Sequence, residues 1–358
     1  SSHANPAFIV AAPPPGFGVI WARAISAATS DAAAAPRKVR RFIFSAFLSG
    51  GDSAHKNNVR TLYKTGAVLW YASAKHRQPV MHFAQAGEGS MNGQTRVQNA
   101  IDRKPIDRIP RCDALWEDTL ALWREQGMPQ EADPGDYFDW DIVDLFMDAS
   151  MRRPAGIVES DGDFIVYRDP AGYTVRKFQG KSRSLEFINH ATTDKATWDE
   201  LKAGFAFDPA APARIDTKSY FMHLDPYPSW DEAKALYDGL RDTGKYIRLT
   251  VYGPWEATWR HRGYEQLFLD LAMDPDWVVE MADTQVSLVE HCIRHCISQG
   301  IQPDALFLVE DLAGQSGPLF SPDMWRALFK PLMQRIGACL RDNGISFWMH
   351  SCGNCEAY

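Results

Sequence analysis

From residue 246 onward, short β-rich runs alternate with amphipathic helical stretches, and this alternation limits the fold more than any other feature. Residues 246–252 (YIRLTVY) read as a strand closed by Gly253-Pro254. Helices are expected over 265–273 and 276–298, the second opened by Asp274-Pro275. A strand at 305–309 ends on Glu310-Asp311. A helix then runs from the Ser321-Pro322-Asp323 cap to about 341, and Asn343-Gly344 introduces a last strand at 345–349. Strands separated by helices of this length must run parallel, so the expected fold is α/β, either doubly wound or a barrel. In such folds polar residues just after the strands carry the chemistry.

Upstream the rhythm is looser. Helices are expected over about 95–101, 113–126, 193–203 and 230–243. Short strands are expected at 106–110 and within 138–146. Residues 157–190 place turn formers between β-rich runs and read as a small β-meander inserted into the α/β body. Residues 1–90 are unlike the rest. They are rich in Ala and Pro and hold ten Lys/Arg against three acids, a net of +7, so the remaining 268 residues carry −14 of the total −7. We read 1–90 as an atypical basic extension, non-native or disordered, and 91–358 as the folded body.

Forty-five per cent hydrophobic residues suffice for a sizeable core, and the acidic body argues against nucleic-acid partners. No apolar run reaches the ~18–20 residues of a membrane span. The six cysteines show no disulfide framework, which suits a reducing cytoplasm.

The strongest chemical signal is His350-Ser351-Cys352 at the end of the last strand. Side chains two apart in a strand share a face, and imidazole with thiolate is a ligand pair that zinc prefers. Cys355 offers a further sulfur. Glu310 and Asp311 are paired acids before a Gly-rich loop, suited to general acid work or to orienting a ligand or metal. Of Asp139, Asp141 and Asp144, Asp141 is the expected active-site acid. His291 with His295, and Cys292 with Cys296, stand at i,i+4 on one helix, which is metal-ligand spacing as well as core spacing.

Several stretches together resemble the uroporphyrinogen decarboxylase superfamily: Met91-Asn92-Gly93 with Lys104-Pro105-Ile106-Asp107-Arg108-Ile109-Pro110, Tyr252-Gly253-Pro254-Trp255-Glu256, Asp274-Pro275-Asp276, Glu310-Asp311-Leu312 with Gly317-Pro318-Leu319-Phe320-Ser321-Pro322, and His350-Ser351-Cys352-Gly353-Asn354. The resemblance implies a (β/α)8 TIM barrel truncated at its C-terminus, with about five of its eight strands present. It implies a site at the C-terminal ends of those strands, with Glu310, Asp311 and Asp141 catalytic and Arg111, Tyr252 and Trp255 binding substrate. A decarboxylase of this group would need an arginine-rich loop where this chain has Arg111-Cys112-Asp113-Ala114-Leu115-Trp116-Glu117. His350 and Cys352 instead match the zinc-dependent methyltransferases, which implies one zinc ion with its third ligand beyond the chain end. The partners implied are a corrinoid protein and a small thiol. A metal-free decarboxylase-like lyase and a truncated non-catalytic barrel are the alternatives.

Overall fold

The computed structural model describes residues 91–179, 185–221 and 223–358. The expectation for 1–90 falls outside them. A five-stranded sheet carries the body: β1 (Ile142–Met147), β7 (Tyr246–Tyr252), β8 (Ala305–Val309) and β11 (Ser346–His350) lie side by side in chain order, all parallel. The two-residue β6 (Ile215–Asp216) pairs antiparallel with the far edge of β1. Each successive parallel strand adds on the same side, with no reversal of order among the described strands. The meander forms as expected, as an antiparallel sheet of β2 (Gly156–Ser160), β3 (Phe164–Arg168), β4 (Tyr173–Phe178) and β5 (Leu185–His190). A two-strand ribbon, β9 (Ala313–Gly314) with β10 (Gly317–Pro318), follows β8.

Ten α-helical segments accompany these strands among the described residues: α1 (Gly93–Ile101), α2 (Glu117–Glu125), α3 (Pro134–Tyr137), α4 (Lys195–Leu201), α5 (Trp230–Asp242), α6 (Pro254–Arg262), α7 (Tyr264–Met273), α8 (Pro275–Ser298), α9 (Pro322–Met324) and α10 (Lys330–Asp342). α9 runs into α10 through a π turn at Trp325–Phe329. α5 starts where Ser229 and Glu232 exchange side-chain and backbone hydrogen bonds, a reciprocal cap that the Ser-x-x-Glu spacing encodes. Gly244, with φ 70°, turns the chain from α5 into β7.

The alternation within the strands separates two faces. Leu145, Met147, Ile247, Leu249, Val251, Leu306 and Leu308 are buried in the main core against the helices. α8 lays Val278, Met281, Ala282, Val286, Val289, Cys292, Ile293 and Cys296 on that core, the 3–4 spacing of one helical stripe. The Cys292–Cys296 pair is therefore a core feature. Burial pushes the Cys292 thiol up to about 12. His291 and His295 instead pack around Phe207, at ring separations of 6.1 and 5.2 Å.

The other face is mixed and only half-buried. It carries Asp144 and Phe146, then Arg248, Thr250 and Tyr252, then Phe307 and Val309, then Trp348 and His350. Its N-terminal end is closed by Val97 of α1, clustered with Ile142, Tyr246, Ala305 and Trp348.

The expected strand at 106–110 does not form. That stretch pairs with no strand, and Ile109 is 81% exposed. Asp107 instead accepts hydrogen bonds from Arg96 Nε (2.6 Å) and Nη2 (2.8 Å), which ties the segment to α1. The strand expected from about 138 begins only at Ile142, because Asp139 (φ 53°) turns the chain just before it.

Candidate metal centre

The C-terminal ends of β7, β8 and β11 meet at one place. Glu310 and Asp311 follow β8 directly, and their neighbours point them in opposite directions. The Glu310 carboxyl is fully buried and accepts hydrogen bonds from the main-chain N–H of Trp255 and of Glu256, both 2.9 Å. Those are orphan donors of the first turn of α6, whose N-cap is Gly253 and which opens on Pro254 with no side-chain cap of its own. A residue from another strand thus caps this helix. Burial pushes the Glu310 pKa well up, against the pull of the two amides. Gly253 makes room for the arrangement: a Cβ there would lie 2.5 Å from Cδ and 2.9 Å from Cβ of Glu310.

Asp311 turns toward β11. Its Oδ1 accepts from Cys352 N (2.8 Å) and lies 3.5 Å from His350 Nε2, while Cys352 Sγ lies 3.4 Å from the same Nε2. One ligand atom from each of Asp311, His350 and Cys352 falls within 4.8 Å of the others. A nucleophilic Cys-His-Asp relay would use both ring nitrogens, one toward sulfur and one toward carboxylate. Here sulfur and carboxylate converge on a single nitrogen. Zinc bond lengths of about 2.0–2.3 Å place adjacent ligands of a tetrahedron roughly 3.3–3.8 Å apart, and the two separations at Nε2 fall in that range. The sulfur is also unlike an activated nucleophile, since burial and the nearby Asp311 and Glu256 carboxyls push its pKa up to about 12. A divalent cation would reverse that shift.

The loop that carries Cys352 depends on glycine. Gly353 has φ 80°, and a Cβ there would lie 2.8 Å from the Gly314 carbonyl carbon and 2.9 Å from Ala313 O. The loop therefore rests on the β9–β10 ribbon, and Ser351 Oγ accepts from Leu312 N (3.0 Å) on the same side. Cys355, half-buried, is not in the cluster of ligand atoms.

Beside the triad, in the first turn of α6, Glu256 is 5% exposed. Arg260 Nη2 (2.6 Å) and Trp259 Nε1 (2.8 Å) donate to its two carboxylate oxygens. Burial raises the Glu256 pKa, and Asp311 adds to the shift. The Arg260 guanidinium lies 3.8 Å from the centre of the Tyr252 ring, which places Tyr252 at this end of the sheet. Trp255 serves differently. Its indole is fully buried among Tyr264, Phe268, Phe320 and Phe329, so its contribution to this end is the main-chain N–H given to Glu310.

Two expected site residues are elsewhere. Asp141 immediately precedes β1, at the N-terminal edge of the sheet, and is 2% exposed. It accepts from Arg108 Nη1 (2.6 Å) and Arg111 N (2.7 Å), and pairs with Arg96 Nη1. Arg111 stays with it, its guanidinium 3.5 Å from Asp139. This ion cluster fastens α1 and the segment before β1 to the sheet, at the edge opposite the triad. The corresponding acid at the C-terminal end of β1 is Asp148, 1% exposed and paired with Arg152 Nε at 2.7 Å. Sequence reading missed Asp148, Glu256 and Arg260. The Glu-x-x-x-Arg spacing of the last two was the available signal.

No protein family matches the chain, and no curated protein matches it. Among solved structures it is similar to a methyltransferase from Methanosarcina mazei, at 12% identity and a TM-score of 0.43, over 75% of this chain and 72% of that one. Among the described residues no helix is long and apolar enough to cross a membrane.

Proposed function

We propose that the chain is a zinc-dependent methyltransferase of the uroporphyrinogen decarboxylase type, moving a methyl group between a corrinoid protein and a small thiol. The observation that carries this reading is the convergence of the Asp311 carboxylate, His350 Nε2 and Cys352 Sγ within 4.8 Å of one another, with the two separations at Nε2, 3.5 and 3.4 Å, at the spacing of ligands around one ion. Three protein ligands leave one tetrahedral position for a substrate. Zinc held there supplies Lewis acidity that lowers the pKa of a thiol, so that thiolate is available at neutral pH. The chain's own part is to hold the ligands. Strand β11 fixes His350, the Gly353 turn fixes Cys352, and the Cys352 N–H holds the Asp311 carboxylate in place. Parallel strands that add in chain order on one side, with the candidate site at their C-terminal ends, support reading the sheet as part of a (β/α)8 barrel.

The test is metal content and transfer together. The full chain dialysed against zinc is expected to retain one ion per chain, and His350→Ala, Cys352→Ala and Asp311→Ala each to lose it. Loaded protein is expected to demethylate methylcobalamin in the presence of a thiol, followed by the change in corrinoid absorbance. Well under one zinc per intact chain would end the zinc reading. Stoichiometric zinc without thiol-dependent demethylation would end the methyl-transfer reading.

A further inference from the structure

Strand register sets three side chains in one row beside the triad. Tyr252 on β7 and His350 on β11 both lie opposite Val309 on β8. Strands about 4.8 Å apart put the outer two Cα atoms roughly 10 Å from each other, with all three side chains on the same face. That face is the half-buried, mixed one. The next residue, Glu310, turns away from it to cap α6, and Asp311 turns back to Cys352.

The row is uneven, because two rings flank a side chain of only three carbons. The Tyr252 ring is held in place by the Arg260 guanidinium at 3.8 Å, which Glu256 binds in turn at 2.6 Å. His350 is placed by β11 and stands 3.5 Å from Asp311 and 3.4 Å from Cys352. Two residues before Val309, Phe307 lies under the Arg248 guanidinium at 4.1 Å and beside Trp348 of β11. Val309 is therefore the floor of a dimple walled by Tyr252, Phe307 and His350. His350 also belongs to the triad, so the dimple and the candidate metal centre are continuous. Phe307, Val309 and Trp348 are each half-buried, which leaves apolar surface here for a ligand to cover.

We infer that the thiol accepted at this centre is an apolar one, whose carbon chain lies in the dimple over Val309, and that Val309 sets the length of chain that fits. The inference rests on the methyl-transfer reading above, which puts a sulfur at the open position of the ion. The first carbons after that sulfur then meet the row, where the floor is aliphatic and the walls are rings. The charged groups of Arg260 and Glu256 are turned to each other. Each methylene moved from water onto such a surface tightens binding about fourfold.

The experiment uses the full chain loaded with cobalt(II) in place of zinc, with the thiolate-to-cobalt charge-transfer absorbance as readout. Ethanethiol, 1-propanethiol and 1-butanethiol are titrated separately. Their thiol groups are of nearly equal basicity, so differences among them report the chain. 2-Mercaptoethanol, which matches 1-propanethiol in size, is the polar control. The apparent Kd is expected to fall about threefold to fourfold per added methylene, and 1-propanethiol to bind at least about fivefold tighter than 2-mercaptoethanol. Val309→Phe fills the dimple and should flatten the series beyond ethanethiol, with cobalt content as the control for an intact centre. Val309→Thr keeps the shape but sets a hydroxyl on the floor, and should cut the gain per methylene to less than about twofold. It reports independently should the phenylalanine variant fail to fold. A flat series in the wild-type chain, equal affinity for 1-propanethiol and 2-mercaptoethanol, or a slope that neither variant changes overturns the placement over Val309 and leaves the thiol reading standing. A cobalt-loaded protein that gives no band with any thiol overturns the thiol reading, and this inference with it.

Discussion

Replacing Gly253 by alanine probes the joint between fold and site with the smallest possible addition. The Gly253 backbone, at φ −75° and ψ 173°, is open to any residue, so the change brings no conformational strain of its own. The whole penalty is steric, because the new methyl would lie 2.5 Å from the Glu310 carboxyl carbon. Glu310 is fully buried and has nowhere to retreat without giving up one or both amide donors of α6. Overpacking costs about 1–3 kcal/mol, and leaving one buried amide donor without its partner about 1–3 kcal/mol. A destabilisation of about 3–5 kcal/mol is expected, at the severe end for a point change. Urea denaturation of the full chain, followed by tryptophan fluorescence, measures it. The same substitution in a Glu310→Ala background isolates the cause. With the carboxyl gone the methyl has space, and the two changes should couple by about 2 kcal/mol or more. A Gly253→Ala protein within about 0.5 kcal/mol of wild type, judged against ordinary surface changes, would refute the argument. A penalty that persists unchanged without Glu310 would do so as well.

Other expectations separate the two edges of the sheet and the two kinds of residue near the site. Asp141→Asn weakens the anchor for Arg96 and Arg108 and should cost about 3 kcal/mol, while zinc retention stays at wild-type level when measured after dialysis. Gly353→Ala should instead act at the site, lowering zinc affinity at least about tenfold through displacement of Cys352, since the added Cβ meets the backbone of Ala313 and Gly314. His261 is stacked on Trp198 and bonded to Thr192, and burial lowers its pKa from 6.5 to about 3. Its contribution is therefore complete above pH 6.5 and is lost as pH falls toward 3, because the unfolded chain takes up the proton first. The loss amounts to at most about 5 kcal/mol. Urea midpoints from pH 7 to 4 should fall more steeply for wild type than for His261→Gln.

Much of the sheet was legible because β7, β8 and β11 are short β-branched or aromatic runs cut off by Gly-Pro, Glu-Asp and His-x-Cys. Hydrophobic periodicity and turn chemistry act within a few residues, so local sequence records them. Asp141 was harder to place. An acid beside a strand reads alike at either end until the neighbours are known, and Arg96, its buried partner, lies 45 residues away. Glu310 posed the same problem in another form. Its use as the cap of a helix opening 55 residues earlier depends on β7 and β8 lying side by side. The triad itself was two-thirds readable. His350 and Cys352 share a strand end, but Asp311 joins them only through the pairing of β8 with β11. The short run 106–110 was misread because two isoleucines and a proline resemble a strand, whereas the arginine–aspartate contacts around Asp107 hold it as an unpaired segment.

The adjacency of Glu310 and Asp311 has a consequence for how the molecule matures. One residue anchors a helix beneath the sheet and the next faces the candidate metal ligands. A slip of β8 by a single position would exchange their directions and remove both functions at once. On the proposed metal reading, capture of an ion by all three ligands would be a check on strand register. A chain with β8 and β11 mispaired has no complete set to offer, and metal uptake during refolding should trail sheet formation.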